Sequence, residues 1–326
     1  MFKKLISIIL LVFILTACSN GQSSNSVSTP EEIRIGILLS DAGLGDESFN
    51  DSAFRGLERA RDELGILFDY KEAPDGDFEG RLNELVNEKY DLVIGLGFSV
   101  QETLEKVAKE NPKQPFLLID GVSSLENVVS ITFKENEGSF LVGMIAAMIT
   151  KTNTLGFIGG ADVPVIHHFE KGFIQGAKYV NPEINILQEY ANSFSEPKVG
   201  SEIAEKQIEQ GADFIYPAAG FTGFGTLKTA QSKGIYTAGV DTDQYFVAEK
   251  AVVTSMLKNI DVAVYNIAKE LVDKGSIEAS SYQLGLVEEG VGLAEIRNIT
   301  LTSEQKSAIE EATDKIKSGS LQVDFE

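Results

Sequence analysis

Five short segments carry most of the side chains in this 326-residue chain that could do chemistry: Asp41 to Asn50 (DAGLGDESFN), Phe116 to Gly121 (FLLIDG), Ala218 to Gly225 (AAGFTGFG), Gly239 to Gln244 (GVDTDQ) and Thr254 to Lys258 (TSMLK). They offer carboxylates at Asp41, Asp120 and Asp241, an amide at Asn50, a ring at Phe49, an ammonium at Lys258 and bare backbone at Gly220 and Gly223. Such groups suit reversible capture. A carboxylate accepts from N–H and O–H groups, an amide both donates and accepts, a flat ring stacks, and glycine lets backbone N–H groups approach a ligand. Covalent catalysis is poorly served, with no Asp-rich metal cluster, no Ser-centred nucleophile elbow and a single cysteine, Cys18, close to the start of the chain. His167 and His168 lack a third ligand such as Cys nearby, and adjacent side chains on a helix diverge, so no metal is expected. Gly156 to Gly160 (GFIGG) lacks the Lys-Ser/Thr ending of a phosphate loop and fits a tight strand-to-helix turn. Each candidate also fits a structural duty: Asp41 and Asp120 as caps or turn formers, Phe49 as core or staple, the glycines as a turn, Lys258 as a solvated helix start.

These segments follow short apolar runs. Ile33 to Ser40 reads as a buried strand, and the helix from about Asn50 to Leu64 carries Phe54, Leu57, Ala60 and Leu64 on one face, with Ser48 and Asp51 at capping-box spacing. Strands are expected at 66–71, 92–95 and 116–119, helices at 80–89 and 99–110, the latter behind a second capping box at Ser99 and Glu102. The pattern pauses at 127–133 and restarts with a helix from Ser139 to Thr150. Strands at 155–158, 184–190, 213–216 and 236–240 then alternate with helices near 165–180, 198–209 and 222–233. Such α/β alternation implies two similar halves, each a doubly wound parallel sheet covered by helices, with ligands beyond the carboxyl ends of the strands. A cleft between the halves is the expected site.

The first thirty residues are of another kind. Lys3 and Lys4 precede an apolar run from Leu5 to Leu15 that ends at Thr16, Ala17 and Cys18, which fits a secretory signal and is too short for the roughly 20 apolar residues of a membrane span. Ser19 to Pro30 is polar and reads as a tether. Leu15-Thr16-Ala17-Cys18 resembles a bacterial lipobox, which implies a signal peptide over 1–17, a lipidated tether over 18–31 and a diacylglycerol on Cys18, at the extracytoplasmic face of the cell membrane. One Cys allows no intrachain disulfide. With 28 basic against 49 acidic residues, a net charge of −21, the surface would repel nucleic acid.

In order and spacing, the five segments together resemble the basic membrane protein family of ABC-transporter substrate-binding lipoproteins, purine nucleoside receptor type, from about Ile33 to the C-terminus. That resemblance implies a type I periplasmic-binding-protein fold: lobe 1 from 32–133 plus 256–285, lobe 2 from 134–255 plus 286–326, and a three-segment hinge near 130–133, 253–255 and 284–286. It implies a purine nucleoside as ligand, an ABC permease as partner, a monomer, no cofactor and no enzymatic activity. Residue by residue, Phe49 matches the ring that stacks on the base, Asn50 and Asp120 match contacts to the base edge, and Asp241 and Lys258 match a ribose-binding pair. Phe194, with Phe221 as its competitor, is the candidate second wall of the base sandwich. Asp41 matches a cleft acid, and Gly220 and Gly223 match backbone contacts. Tyr216-Pro217 departs from the residues relatives tend to carry before the small pair, which leaves selectivity open. The alternatives are a ligand-sensing regulatory lipoprotein of the same fold and an extracellular nucleoside hydrolase.

Overall fold

The computed structural model describes residues 32–324, so the leader, Cys18 and the tether lie outside the described residues. Two six-stranded sheets form the body. The first contains β1 (Arg34–Leu38), β2 (Leu67–Lys71), β3 (Leu92–Leu96), β4 (Phe116–Ile119), β5 (Val128–Phe133) and β11 (Ser281–Leu284), in the order β11-β5-β4-β3-β1-β2, all parallel. The second contains β6 (Thr154–Gly159), β7 (Asn185–Tyr190), β8 (Phe214–Ala218), β9 (Tyr236–Asp241), β10 (Val252–Lys258) and β12 (Val291–Leu293), in the order β12-β10-β9-β8-β6-β7. Only β12 there runs antiparallel to its neighbour. The two orders are the same pattern repeated, and each reverses direction beside its first strand, between β1 and β3 and between β6 and β8. Such reversals open a crevice at the carboxyl ends of the strands.

Burial follows the sequence. β3 and β4, apolar at every position except the glycine of β3, are buried on both faces, whereas the edge strands β2 and β7 are half exposed. Nine helices lie among the described residues: α1 (Phe49–Leu64), α2 (Phe78–Asn87), α3 (Gln101–Glu110), α4 (Glu135–Ile149), α5 (Pro164–Val180), α6 (Pro197–Glu209), α7 (Gly220–Lys233), α8 (Ile260–Lys274) and α9 (Ser303–Lys317). The stretches 260–274 and 303–317, unassigned by the alternation, are amphipathic helices, and α9 starts with a true capping box between Thr302 and Gln305.

Neither capping box expected from the sequence forms. Ser48 makes no cap bond because its hydroxyl donates to Asp241 of the other lobe, and Asp51 instead accepts from the backbone N–H groups of Gly45 (2.8 Å) and Glu47 (3.0 Å). At Ser99 a 3₁₀ turn over Phe98–Val100 leads into α3, whose cap residue is Val100. The pause at 127–133 is a strand, β5, held by β4 on one side and β11 on the other. Helix α4 begins at Glu135, four residues before the expected start at Ser139, and its polar first turn is buried.

The chain passes between the sheets at Lys134, at Asn259 and between β11 and β12, and these passages are tied together. The Lys134 N–H donates to the Leu284 carbonyl (2.9 Å), the Asn259 N–H to the Gly290 carbonyl (2.9 Å), and the Leu286 N–H to Glu137 Oε2 (2.8 Å). Residues 253–255 are buried inside β10, which keeps its pairing through Lys258, so the second passage falls beyond that segment and Met256 to Lys258 belong to the second sheet.

Candidate functional site

The carboxyl ends of both sheets face one cleft, the place where ligands of such folds bind. Asp41, Phe49, Asn50, Asp120, Phe194, Gly220, Asp241 and Lys258 all line it. Gly223 does not. One helical turn into α7, it faces β8, where an added Cβ would sit 3.3 Å from Pro217, so its small size serves helix–strand packing. Phe221 also points elsewhere and pairs with Phe224, ring centroids 5.5 Å apart. Phe194 reaches the cleft from the loop after β7 because Gly160 leaves room for its ring, a space that any Cβ would fill. The GFIGG turn therefore seats an aromatic wall.

Lys258 ends β10 and is 1% exposed. Its ammonium is paired with Asp120 Oδ2 (2.6 Å) and Glu135 Oε1 (2.9 Å), and it lies 5.2 Å from the Phe49 ring centre, 5.0 Å from Phe133 and 5.5 Å from Phe169. Carboxylates and ring faces both stabilise a desolvated cation. Burial alone would lower its pKa, but Asp120, Glu135 and Asp241 outweigh burial and hold the lysine charged. Glu135, at the head of α4, also meets His168 Nδ1 through its second oxygen (3.2 Å). Burial favours its neutral form, yet Lys258 and His168 overcome that and keep its pKa low.

Asp120 and Asp241 occupy matching places, immediately after β4 and at the end of β9, and both have φ of 64°. Left-handed backbone is uncommon for side-chain-bearing residues, and Asp and Asn are among the few that tolerate it. Burial pushes both carboxyls up to about 6 despite the pull of Lys258. Asp120 Oδ1 is buried without a hydrogen-bond partner. Such a group costs free energy until a donor reaches it.

Asn50 is where geometry departs most from the expected role. Its Nδ2 donates to Ser40 Oγ and Asp46 Oδ2 (both 2.9 Å) and its Oδ1 accepts from the Ser40 N–H (2.9 Å), leaving little for a ligand. It is buried and positions its neighbours. Asp46, absent from the sequence candidates, is 2% exposed and accepts from the backbone of Ser48, Asn50 and Asp51, which offsets part of the rise in pKa that burial causes. The turn it holds reaches across the cleft. The Glu47 carbonyl accepts from Thr242 Oγ1 and Gln244 Nε2 (both 3.0 Å), and Ser48 bonds Asp241. Phe98, Phe169 and Glu135 were also invisible in the sequence. Phe98 and Phe169 read as ordinary apolar residues, and Glu135 lies between recognisable elements. His167 and His168 diverge, His167 to Asp162 (2.6 Å) and His168 to Glu135.

Across residues 33–324 the sequence matches the family model described as ABC transporter substrate-binding protein, PnrA-like (Bmp). The chain belongs to this family. Its relatives include the ABC transporter nucleoside-binding protein BmpA of Lactococcus lactis, 32% identical over 96% of this chain and 95% of the relative, and an uncharacterized lipoprotein of Pyrococcus abyssi, 35% identical over 87% and 74%. Among solved structures, an ABC transporter system solute-binding protein from Aeropyrum pernix K1 superposes with a TM-score of 0.82 at 28% identity, covering 89% of this chain and 92% of that one. As a Bmp-family substrate-binding protein, the chain takes a small-molecule ligand and works with a membrane permease, and its two α/β lobes are those of type I binding proteins.

Proposed function

We propose that this Bmp-family protein captures a purine nucleoside outside the cell and presents it to an ABC permease, tethered by lipid on Cys18 and acting as a monomer. The observation that carries the ligand reading is the buried Lys258 ammonium, set among Asp120, Glu135 and Asp241 beside the Phe49 ring at the floor of the cleft. This floor sets charged groups and aromatic rings side by side, as a sugar joined to a base requires. Phe49 stacks on the base with Phe194 opposite, and Asp120 Oδ1 accepts an N–H from the base edge. Asp241 and Lys258 grip the ribose hydroxyls, Gly220 presents backbone, and Asp41 stands at the rim. Asn50 orders Ser40 and Asp46 behind them. A surplus of carboxylates over the one buried lysine favours a neutral, donor-rich ligand over a phosphorylated one.

The nucleoside-binding name of the Lactococcus relative supports the ligand class, and the Pyrococcus relative named as a lipoprotein supports the anchor, together with Leu15-Thr16-Ala17-Cys18. The direct experiment is a thermal-shift screen of the purified chain with inosine, guanosine, adenosine, the free bases and ribose, since a ligand specific to the native state raises the melting temperature. Nucleosides should give the largest shifts. No shift with any nucleoside would overturn the reading, and release of free base during incubation would favour a hydrolase.

A further inference from the structure

A second cavity of about 320 Å³ adjoins the cleft, and the two share Phe98, Asp120 and Val165 in their walls. Asp120 therefore stands at a seam. One of its oxygens is taken by Lys258 at 2.6 Å, and the other is buried without a partner. A ligand N–H is the natural donor to that oxygen. If the donating nitrogen also carries carbon, the substituent must leave past Asp120, where the cleft ends and the second cavity begins.

The lining of that cavity says which substituents fit. Val122, Thr132 and Pro164 line it without lining the cleft, and Phe98, Val122, Phe133, Pro164 and Val165 supply its apolar surface beside the polar Gln101 and His168. Asp120 and Glu135 place carboxylates on its wall, which disfavours an anion. We propose that the second cavity is a substituent subsite, and that the cleft accepts purine nucleosides bearing an alkyl or aryl group on an exocyclic nitrogen, the N–H bonding Asp120 Oδ1 and the group lying among Val122, Thr132 and Pro164. This inference rests on the nucleoside reading above and adds to it a class of ligand and the residues that admit it.

Titration calorimetry on the full chain tests it with two pairs, guanosine with N2-methylguanosine and adenosine with N6-benzyladenosine. In whichever pair the parent binds, the substituted nucleoside should bind within about threefold of the parent or tighter, because apolar surface is buried on entry. Thr132→Phe narrows the cavity from its strand wall, and Val122→Trp does so from a position that is 66% exposed and carries little risk to folding. Either variant should weaken the substituted nucleoside by about tenfold or more, as overpacking a filled space does, and leave the parent unchanged. The subsite is refuted if wild-type protein binds the parent but rejects the substituted partner, or if both variants weaken parent and substituted ligand alike. Failure of every parent nucleoside to bind overturns the nucleoside reading itself, and the subsite with it.

Discussion

Asp241→Asn should make the ligand-free protein more stable while disabling it. Asp241 is 8% exposed, and burial raises its carboxyl from 3.8 to about 6, a value already net of the attraction to Lys258. Keeping it ionised above pH 6 costs about 3 kcal/mol, at 1.36 kcal/mol for each of roughly two pKa units. The sign follows from the direction of the shift. A folded-state pKa above the unfolded one means that the native state holds its proton longer, so the cost is absent below about pH 4, grows as pH rises and is complete above the folded value. Asparagine removes the charge, tolerates the φ of 64° and can still accept from the Ser48 hydroxyl. At about 2 °C per kcal/mol for a chain of this size, the ceiling on the gain is about 6 °C at pH 7.5. The same change removes a charge-assisted acceptor for ribose hydroxyls, which should weaken nucleosides by about one to two decades while sparing free bases. Melting curves of both proteins at pH 7.5 and pH 4, with calorimetric titration of guanosine, inosine and guanine, make the test. The reasoning is refuted if the variant melts no higher than wild type at pH 7.5, if a gain persists undiminished at pH 4, or if nucleoside-to-base preference is unchanged.

Nucleoside affinity of the wild-type protein should fall below about pH 6, where Asp120 and Asp241 take up protons, and a flat calorimetric profile from pH 7.5 to 5 would contradict their role as acceptors. Phe49→Ala should weaken nucleoside and free base together by about 0.5–1.5 kcal/mol or more, the worth of a ring pair beyond its area, in contrast to the selective loss at Asp241. Thr242→Val removes a side-chain bond from the second lobe to the Glu47 carbonyl at a residue that does not line the cleft, so every ligand should weaken by one common factor through a less populated closed form. Ligand-dependent factors in calorimetry would mean that Thr242 acts by some other route. Small-angle scattering should show a smaller radius of gyration with nucleoside as the lobes turn about the passages at Lys134, Asn259 and 285–290, and an identical profile at saturation would argue for a rigid body. Cys18→Ser should abolish incorporation of a fatty-acid analogue, with equal labelling counting against the lipobox.

What the sequence determined by itself is local and periodic. Apolar runs such as Leu92–Leu96 and Phe116–Ile119 can be satisfied only as buried strands, their alternation with amphipathic stretches fixes parallel sheets, and the polar residues after those runs must then stand at the carboxyl ends. For that reason the segments holding Asp41, Phe49, Asp120, Asp241 and Lys258 could be placed at the cleft in advance, while the choice of these residues within them came from the family resemblance. Tertiary structure decided everything that depends on a partner distant in the chain. Ser48 reads as a helix cap yet bonds Asp241, 193 residues away, and Asn50 reads as a ligand contact yet spends its amide on Ser40 and Asp46. Gly223 reads like Gly220, but helical rotation turns it toward Pro217. Glu135 carries no local signal, and it matters because β10 brings Lys258 beside it. Spacing along one chain reports the period of an element, whereas the charge balance of a cleft is set by elements that meet only after folding.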